Sequence, residues 1–382
     1  MSTAHIYVDD TKATEGIRTA TIEVPDRETR TLFFESHEGI LSVEAGADPF
    51  LLGSLLLLME AGHAVHVHGE VTQRLLRNLH ELQAAWAKWK PEKYVLVEIS
   101  ADSVVDRRPS STAAISAFSG GVDASYTVQM NLRGRPNASH DLRAVVFVHG
   151  FDIPLENESD YLGARDRGEK LLAGTGLKTL GLRTNVRSLG QDWEDSFGLA
   201  VASCLTAYQG EYGVGLIGSG HAYDDIVLGW GSSPVTDHLY GTGQMDIWHD
   251  GAGAARTDKM ASLASWPEAL QYLRVCWQGK RGDRNCGRCE KCVRTFLNFK
   301  AVGVDSFECF EQVPDRQAVR RLRVGSSAQL GELKSIARYA ARHGVSGEWT
   351  SDLAYAIRVN SLRVAAKQNA LISATVRAVR RK

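Results

Sequence analysis

The chain has 382 residues, 43% of them hydrophobic, and its 44 basic against 45 acidic side chains leave a formal net charge of −1. That length allows more than one core, and the near-neutral balance argues against a nonspecific nucleic-acid surface. The longest apolar run, 51–59, is far shorter than the about 20 residues of a membrane-spanning helix. The first residues also lack the basic and then apolar build of a secretion signal, so the expectation is a soluble cytoplasmic protein with no membrane partner.

Residues 1–110 read as an N-terminal α+β unit. Alternating or clustered apolar residues predict strands over 19–24, 31–35, 64–68 and 94–99, and helical spacing predicts helices over 48–61 and 71–89. The stretch 106–111 reads as a linker. Residues 111–314 then alternate between strands, at 113–118, 144–149, 178–184 and 214–219, and intervening helical segments. That order predicts an α/β domain with a parallel sheet and ligands at the carboxyl ends of its strands. Residues 315–382, rich in Ala, Leu, Arg and Lys, read as a helical C-terminal region ending in Arg377, Arg380, Arg381 and Lys382. Such a basic end is a solvated helix face or a docking surface for an acidic partner.

The first chemical signal is Ser119-Gly120-Gly121-Val122-Asp123-Ala124-Ser125, directly after the apolar run 113–118. Two glycines let the backbone bend and turn successive N–H groups onto an anion, and a helix starting near Asp123 adds its positive dipole end. Ser119 and Ser125 can donate hydroxyl hydrogen bonds to the same oxygens. The loop has neither the GK[ST] ending of a Walker loop nor the GxGxxG spacing of a dinucleotide fold. An ordinary strand-to-helix turn is the plain alternative.

The second signal is the group Cys276, Cys286, Cys289 and Cys292, spaced C-x9-C-x2-C-x2-C. Four thiolates make a closed tetrahedral set suited to structural Zn²⁺, which would pin the loop 277–285 and contribute folding free energy. Arg281, Arg284, Arg288, Lys291 and Arg294 would offset the charge of a zinc tetrathiolate. An iron–sulfur cluster and free thiols remain alternatives. Cys204 lies in an apolar run and reads as core, and Cys309 has no evident partner.

The glycine loop resembles the SGGxDS motif of the PP-loop ATP pyrophosphatases, with Ala124 where many relatives carry Ser or Thr. A PP-loop followed by this cysteine group, across roughly residues 111–300, is similar to the 7-cyano-7-deazaguanine synthase family. The resemblance implies an adenine nucleotide alpha hydrolase-like domain with a four-cysteine zinc knot. It also implies ATP and Mg²⁺ as cofactors, with pyrophosphate held by Ser119, Gly120, Gly121, Val122, Asp123 and Ser125. The first 110 residues lie outside it, because the compact synthases lack such an extension.

Further site residues follow from the same resemblance. His149 falls at the turn where this fold meets adenine, with a capping or buried histidine as the alternative. Arg187 ends the third strand and could clamp a phosphate or carboxylate, or lie on the surface. His221, Asp224 and Asp225 resemble the GHxxDD of other PP-loop enzymes, and two adjacent carboxylates near a triphosphate suit Mg²⁺ or a substrate amine. An acidic helix-capping turn is the other reading. Ser233 and Asp237 occupy the place of the synthase substrate loop, and Lys259 is expected as a mobile cation for the leaving pyrophosphate. Asp123, Asp225 and Lys259 are the expected catalytic set.

The implied activity is an ATP-dependent carbon–nitrogen ligase. A small-molecule carboxylate, deazaguanine-like or related, is adenylated with release of pyrophosphate, and ammonia or an amine then gives an amide or nitrile. The N-terminal unit or C-terminal helices offer surfaces for a protein partner, and a homodimer is allowed. The alternatives are a tRNA base-modifying PP-loop enzyme, which would need a basic RNA surface, and a nucleotide-binding subunit of a bacterial defence or biosynthetic complex.

Overall fold

The computed structural model describes residues 2–39, 41–134, 137–276 and 284–379. Among the described residues, ten strands combine with helices in an α/β arrangement: β1 (Thr3–Asp9), β2 (Ile17–Glu23), β3 (Arg30–Ser36), β4 (Ala64–Thr72), β5 (Ile99–Val105), β6 (Ala113–Ala117), β7 (Asp141–His149), β8 (Lys178–Thr184), β9 (Val214–Gly218) and β10 (Asp246–Asp250). The helices are α1 (Asp48–Ala61), α2 (Gln73–Trp89), α3 (Val122–Leu132), α4 (Glu158–Leu171), α5 (Trp193–Thr206), α6 (Arg256–Leu263), α7 (Pro267–Tyr272), α8 (Glu290–Ala301), α9 (Arg316–Arg321), α10 (Ser327–Arg342) and α11 (Glu348–Val379). No described helix is long and apolar enough to cross a membrane.

All ten strands form one sheet, ordered β10-β9-β6-β7-β8-β3-β2-β1-β4-β5 and mostly parallel. The join between the N-terminal and central segments is antiparallel, with Phe34 opposite Thr184 and Ser36 opposite Leu182. The N-terminal segment, which reads from sequence as a separate unit, therefore extends the central sheet. The physical reason is visible in α1, whose Leu51, Leu52, Leu55, Leu56 and Leu58 are all buried. A helix apolar all round needs cover on every side, and α1 receives it from the sheet and from α5, with Gly53 closely approached by Leu32, Val186 and Ser203. One core runs from Ile6 through Phe34 and Leu182 to Ile247.

The segment 94–99, expected as a strand, is irregular up to residue 98, and the strand occupies Ile99–Val105 instead. Tyr94 is buried there, donating to Asp195 at 2.8 Å and meeting Trp86 edge-on, so its apolar character serves helix packing and not a sheet. Strands β1 and β10 have no counterpart among the sequence expectations. The C-terminal region is helical as expected, and α10 packs on α8 and α6. Arg380, Arg381 and Lys382 lie outside the described residues, as does the side chain of Arg377.

Strand order positions the site. From β6 the chain moves to β7 and β8 on one side, then returns to β9 and β10 on the other. The reversal lies between β6 and β9, where loops leaving the strand ends diverge and open a crevice.

Candidate functional site

The loop after β6 enters this crevice. Gly120 has φ +72°, which favours a residue without Cβ, whereas Gly121 has an ordinary φ of −81° and caps α3. Gly121 N–H donates to Ser119 Oγ at 3.3 Å, and the loop is tied down by Arg274 N–H donating to Gly120 O at 2.8 Å. Gly218 ends β9 so close to α3 that a Cβ there would lie 3.0 Å from the Asp123 carbonyl carbon. The loop and the end of β9 are thus pressed together by glycine.

Two adjoining cavities share Ser119, Asp123, Asp152 and Arg274 in their walls. The first, about 260 Å³, is largely apolar and is lined by Phe118, Val148, Phe151, Tyr161, Trp193 and Phe197. The second, about 150 Å³, is cationic: Arg256, Arg274, Lys291 and Arg294 surround it together with Gly121 and Val122. A third cavity of about 110 Å³ shares Arg256 and is lined by His221, Asp224, Asp225, Asn298, Glu332 and Arg338. A larger hollow of about 390 Å³, between Arg288, Gln312 and Arg321, contains none of the residues expected to bind ATP, substrate or metal.

Asp123 is the electrostatic hub. Its Oδ2 accepts from Arg256 at 2.8 Å and its Oδ1 from Lys259 at 3.1 Å. Burial by itself would raise its pKa, but Arg256, then Lys259, outweigh that and hold the carboxyl below its ordinary value of 3.8. Arg294 is pushed down to about 10 by burial and then by its neighbour Arg256, and Lys291 is lowered by burial, with Arg256 and Arg294 adding to the effect. Crowded like charges of this kind favour an anion between them. Glu332 of α10 pairs with both Arg294 and Arg256, so the C-terminal helices complete the wall.

Several predicted residues lie elsewhere. Lys259 is not a mobile cation on the cavity: its side chain is fully buried, fixed by Asp123, the Ser219 carbonyl and the face of Tyr126. Ser125 is sealed within α3 and lines none of these cavities, its Oγ without a hydrogen-bond partner. His149 is buried behind the apolar cavity, stacked 4.5 Å from Tyr161, with Nε2 at 3.0 Å from Pro154 O. Burial holds its pKa below 6.5. Arg187 is exposed and lines none of these cavities, its guanidinium 4.6 Å from the Trp193 ring and hydrogen-bonded to Phe151 O.

Ser233 and Asp237 are buried beneath the crevice. Asp237 accepts from Ser233 N–H at 2.8 Å and from the Ser232 hydroxyl at 2.6 Å, and lies 2.7 Å from His249 Nδ1. The other ring nitrogen of His249 is 2.8 Å from Ser219 Oγ, which donates to His221 O. This chain anchors the start of the loop that carries His221, Asp224 and Asp225. His249 was absent from the sequence expectations, since nothing adjacent to it in sequence marks its partners.

The four cysteines converge. Cys276 and Cys289 sulfurs are 3.7 Å apart, Cys286 and Cys292 sulfurs 3.9 Å, and all four lie within 4.8 Å of one another. A tetrahedral zinc with Zn–S bonds of about 2.3 Å places sulfurs about 3.8 Å apart, so the set fits one such ion better than a cluster of several irons. Arg288 and Cys289 N–H groups both donate to Cys286 Sγ at 3.4 Å. Residues 277–283, including Arg281 and most of the loop to be pinned, lie outside the described residues. The buried Asn285 stitches the knot: Oδ1 accepts from Val275 and Cys276, and Nδ2 donates to Leu273 O and Cys309 O. Because Arg274 precedes Cys276 and Lys291 and Arg294 follow Cys289, the knot fixes three of the four cations.

In comparisons with known proteins, no family model, no curated protein and no solved structure matches this chain.

Proposed function

We propose that the chain is an ATP-dependent ligase that adenylates a carboxylate and then forms a carbon–nitrogen bond. The carrying observation is the meeting of an apolar, aromatic-walled cavity and a four-cation cavity at the glycine loop 119–123. Their chemistry suits the two halves of an adenine nucleotide. Phe151, Trp193 and Phe197 offer faces for a base, while Arg256, Arg274, Lys291 and Arg294 with the amino end of α3 suit phosphates. In the third cavity, Asp224 and Asp225 suit Mg²⁺ or a substrate amine, and Arg338 suits a carboxylate.

The residues position and neutralise. A carboxylate oxygen bonds to the α-phosphorus while the bond from that phosphorus to the α–β bridging oxygen breaks, and the leaving pyrophosphate takes the electron pair. Arg274, Lys291 and Arg294 offset its growing charge. The nitrogen of ammonia or an amine then bonds to the acyl carbon, loses a proton and displaces AMP. The resemblance at the loop and cysteine group favours a deazaguanine-like acid, with Zn²⁺ as a structural ion.

The test incubates the protein with ATP, Mg²⁺, ammonia and a panel of acids that includes 7-carboxy-7-deazaguanine, and measures AMP and pyrophosphate. Acid-dependent AMP is expected, and none with any acid removes the small-molecule reading. The burial of Lys259 behind Asp123, outside the cavity walls, favours a second reading, a nucleotide-binding subunit. ATP binding without AMP release under every condition would mark that reading instead.

A further inference from the structure

The sheet carries a second constellation, far from the glycine loop. His5 and Tyr7 of β1, His66 and His68 of β4, and Ser100 and Asp102 of β5 share one face of three adjacent parallel strands, with His5 opposite His66 and His66 opposite Ser100. Five strand spacings separate β1 from β6 in the sheet order, about 24 Å at the usual spacing.

His66 Nε2 lies 2.9 Å and His68 Nδ1 3.7 Å from the same oxygen, Asp102 Oδ1. One ligand atom from each of the three residues falls within 4.8 Å of the others. Ser100 Oγ can donate to Val65 O at 3.2 Å and accept from His66 Nδ1–H at 2.9 Å. In that tautomer the Nε2 lone pair of His66 faces the Asp102 carboxylate, an arrangement that a cation between them stabilises. On the far side of His68, Nε2 is 3.1 Å from His5 Nδ1, and the ring is stacked on Tyr7 at 4.2 Å. Both imidazoles thus have the second hydrogen-bond partner that orients a metal-ligating histidine.

We propose that His66, His68 and Asp102 form a binding site for a divalent transition-metal ion, with His5 and Ser100 as positioning residues. Two imidazole nitrogens and one carboxylate suit zinc, nickel or cobalt, and three protein ligands leave a position open to water or an external ligand. The side chains are about a third exposed for His66 and His68 and half exposed for Asp102, so an ion can enter without unfolding the strand. The competing occupant is a proton shared between His66 and Asp102.

The experiment uses the full chain with zinc retained at the cysteine knot. Ni²⁺ is titrated calorimetrically at pH 7.5, above the ordinary histidine range, where a proton competes poorly. One equivalent of Ni²⁺ should bind the wild type and be lost in His66→Ala/His68→Ala, while zinc content and circular dichroism stay unchanged. Asp102→Asn and His5→Ala should each weaken binding by about tenfold or more. No binding by the wild type, or undiminished binding by either the double variant or Asp102→Asn, would overturn the proposal.

Discussion

The guanidinium of Arg256 lies 2.8 Å from Oδ2 of Asp123, and the same arginine faces Glu332 of the C-terminal helices at 3.7 Å. The glycine loop and the far end of the chain are therefore coupled through one side chain. Arg256 stands where the cationic and acidic cavities join, so its alternatives as partners are the charges any ligand would bring.

Asp123→Asn should abolish AMP formation while leaving metal content unchanged. It should also alter acid stability in a definite direction. The folded carboxyl titrates below 3.8, so its contribution to stability is present above about pH 4 and lost as pH falls through the depressed value. Thermal melts from pH 3 to 7 should show a smaller acid-side fall in the variant. Equal falls would show that the ion pairs with Arg256 and Lys259 contribute little.

Asp48 should act in the opposite sense. It is buried at the start of α1, where it accepts from Thr72 N–H and Thr72 Oγ1, and burial raises its pKa to about 6. Its folded value exceeds its unfolded one, so the stability linked to its protonation is full below about pH 4 and declines as pH rises to about 6. Asp48→Asn should flatten urea-midpoint measurements across that window. An unchanged slope would place the dependence on another group.

The two adjoining cavities should separate base from phosphate. Trp193→Ala should weaken adenosine binding by about 5-fold to 100-fold, the range of one lost stacking face, and leave pyrophosphate binding nearly unchanged. Lys291→Ala should do the reverse, by about tenfold or more, as for one lost charge-assisted hydrogen bond. Calorimetry with each half-ligand measures both. Parallel losses in both variants would mean that the cavities do not hold separate parts of one ligand.

Cys289→Ser should release the metal and lower the melting temperature, because ligand loss removes folding free energy. The same variant should bind pyrophosphate more weakly, since Arg274, Lys291 and Arg294 are set by the knot. Metal analysis and pyrophosphate calorimetry on one preparation test both effects. Full pyrophosphate affinity without metal would detach the knot from the cavity.

Much of the central sheet was legible because its strands are short apolar runs between glycine-bearing turns, and α1 was legible to its boundaries because a capped leucine run has few other fates. The loop 119–125 and the cysteine group were legible because their residues are adjacent in sequence. Strands β1 and β10 were not: Thr3–Asp9 and Asp246–Asp250 are weakly apolar and take their pairing from neighbours distant in sequence. Lys259 illustrates the same limit at the site. Its position in the chain suggested a phosphate partner, yet only the fold shows that it is enclosed against Asp123.

The sequence by itself determined the alternation of strands and helices, the bend at Gly120 and the convergence of four thiols, because each depends on local backbone freedom or short spacing. Tertiary structure alone decided which cations surround the cavity. Arg256 of α6, Arg274 after α7, and Lys291 with Arg294 of α8 come from three separate segments and are gathered by helix packing and the cysteine knot. It also decided that the N-terminal strands extend the sheet through β3 and β8, because a helix buried on every side must find cover wherever the chain supplies it.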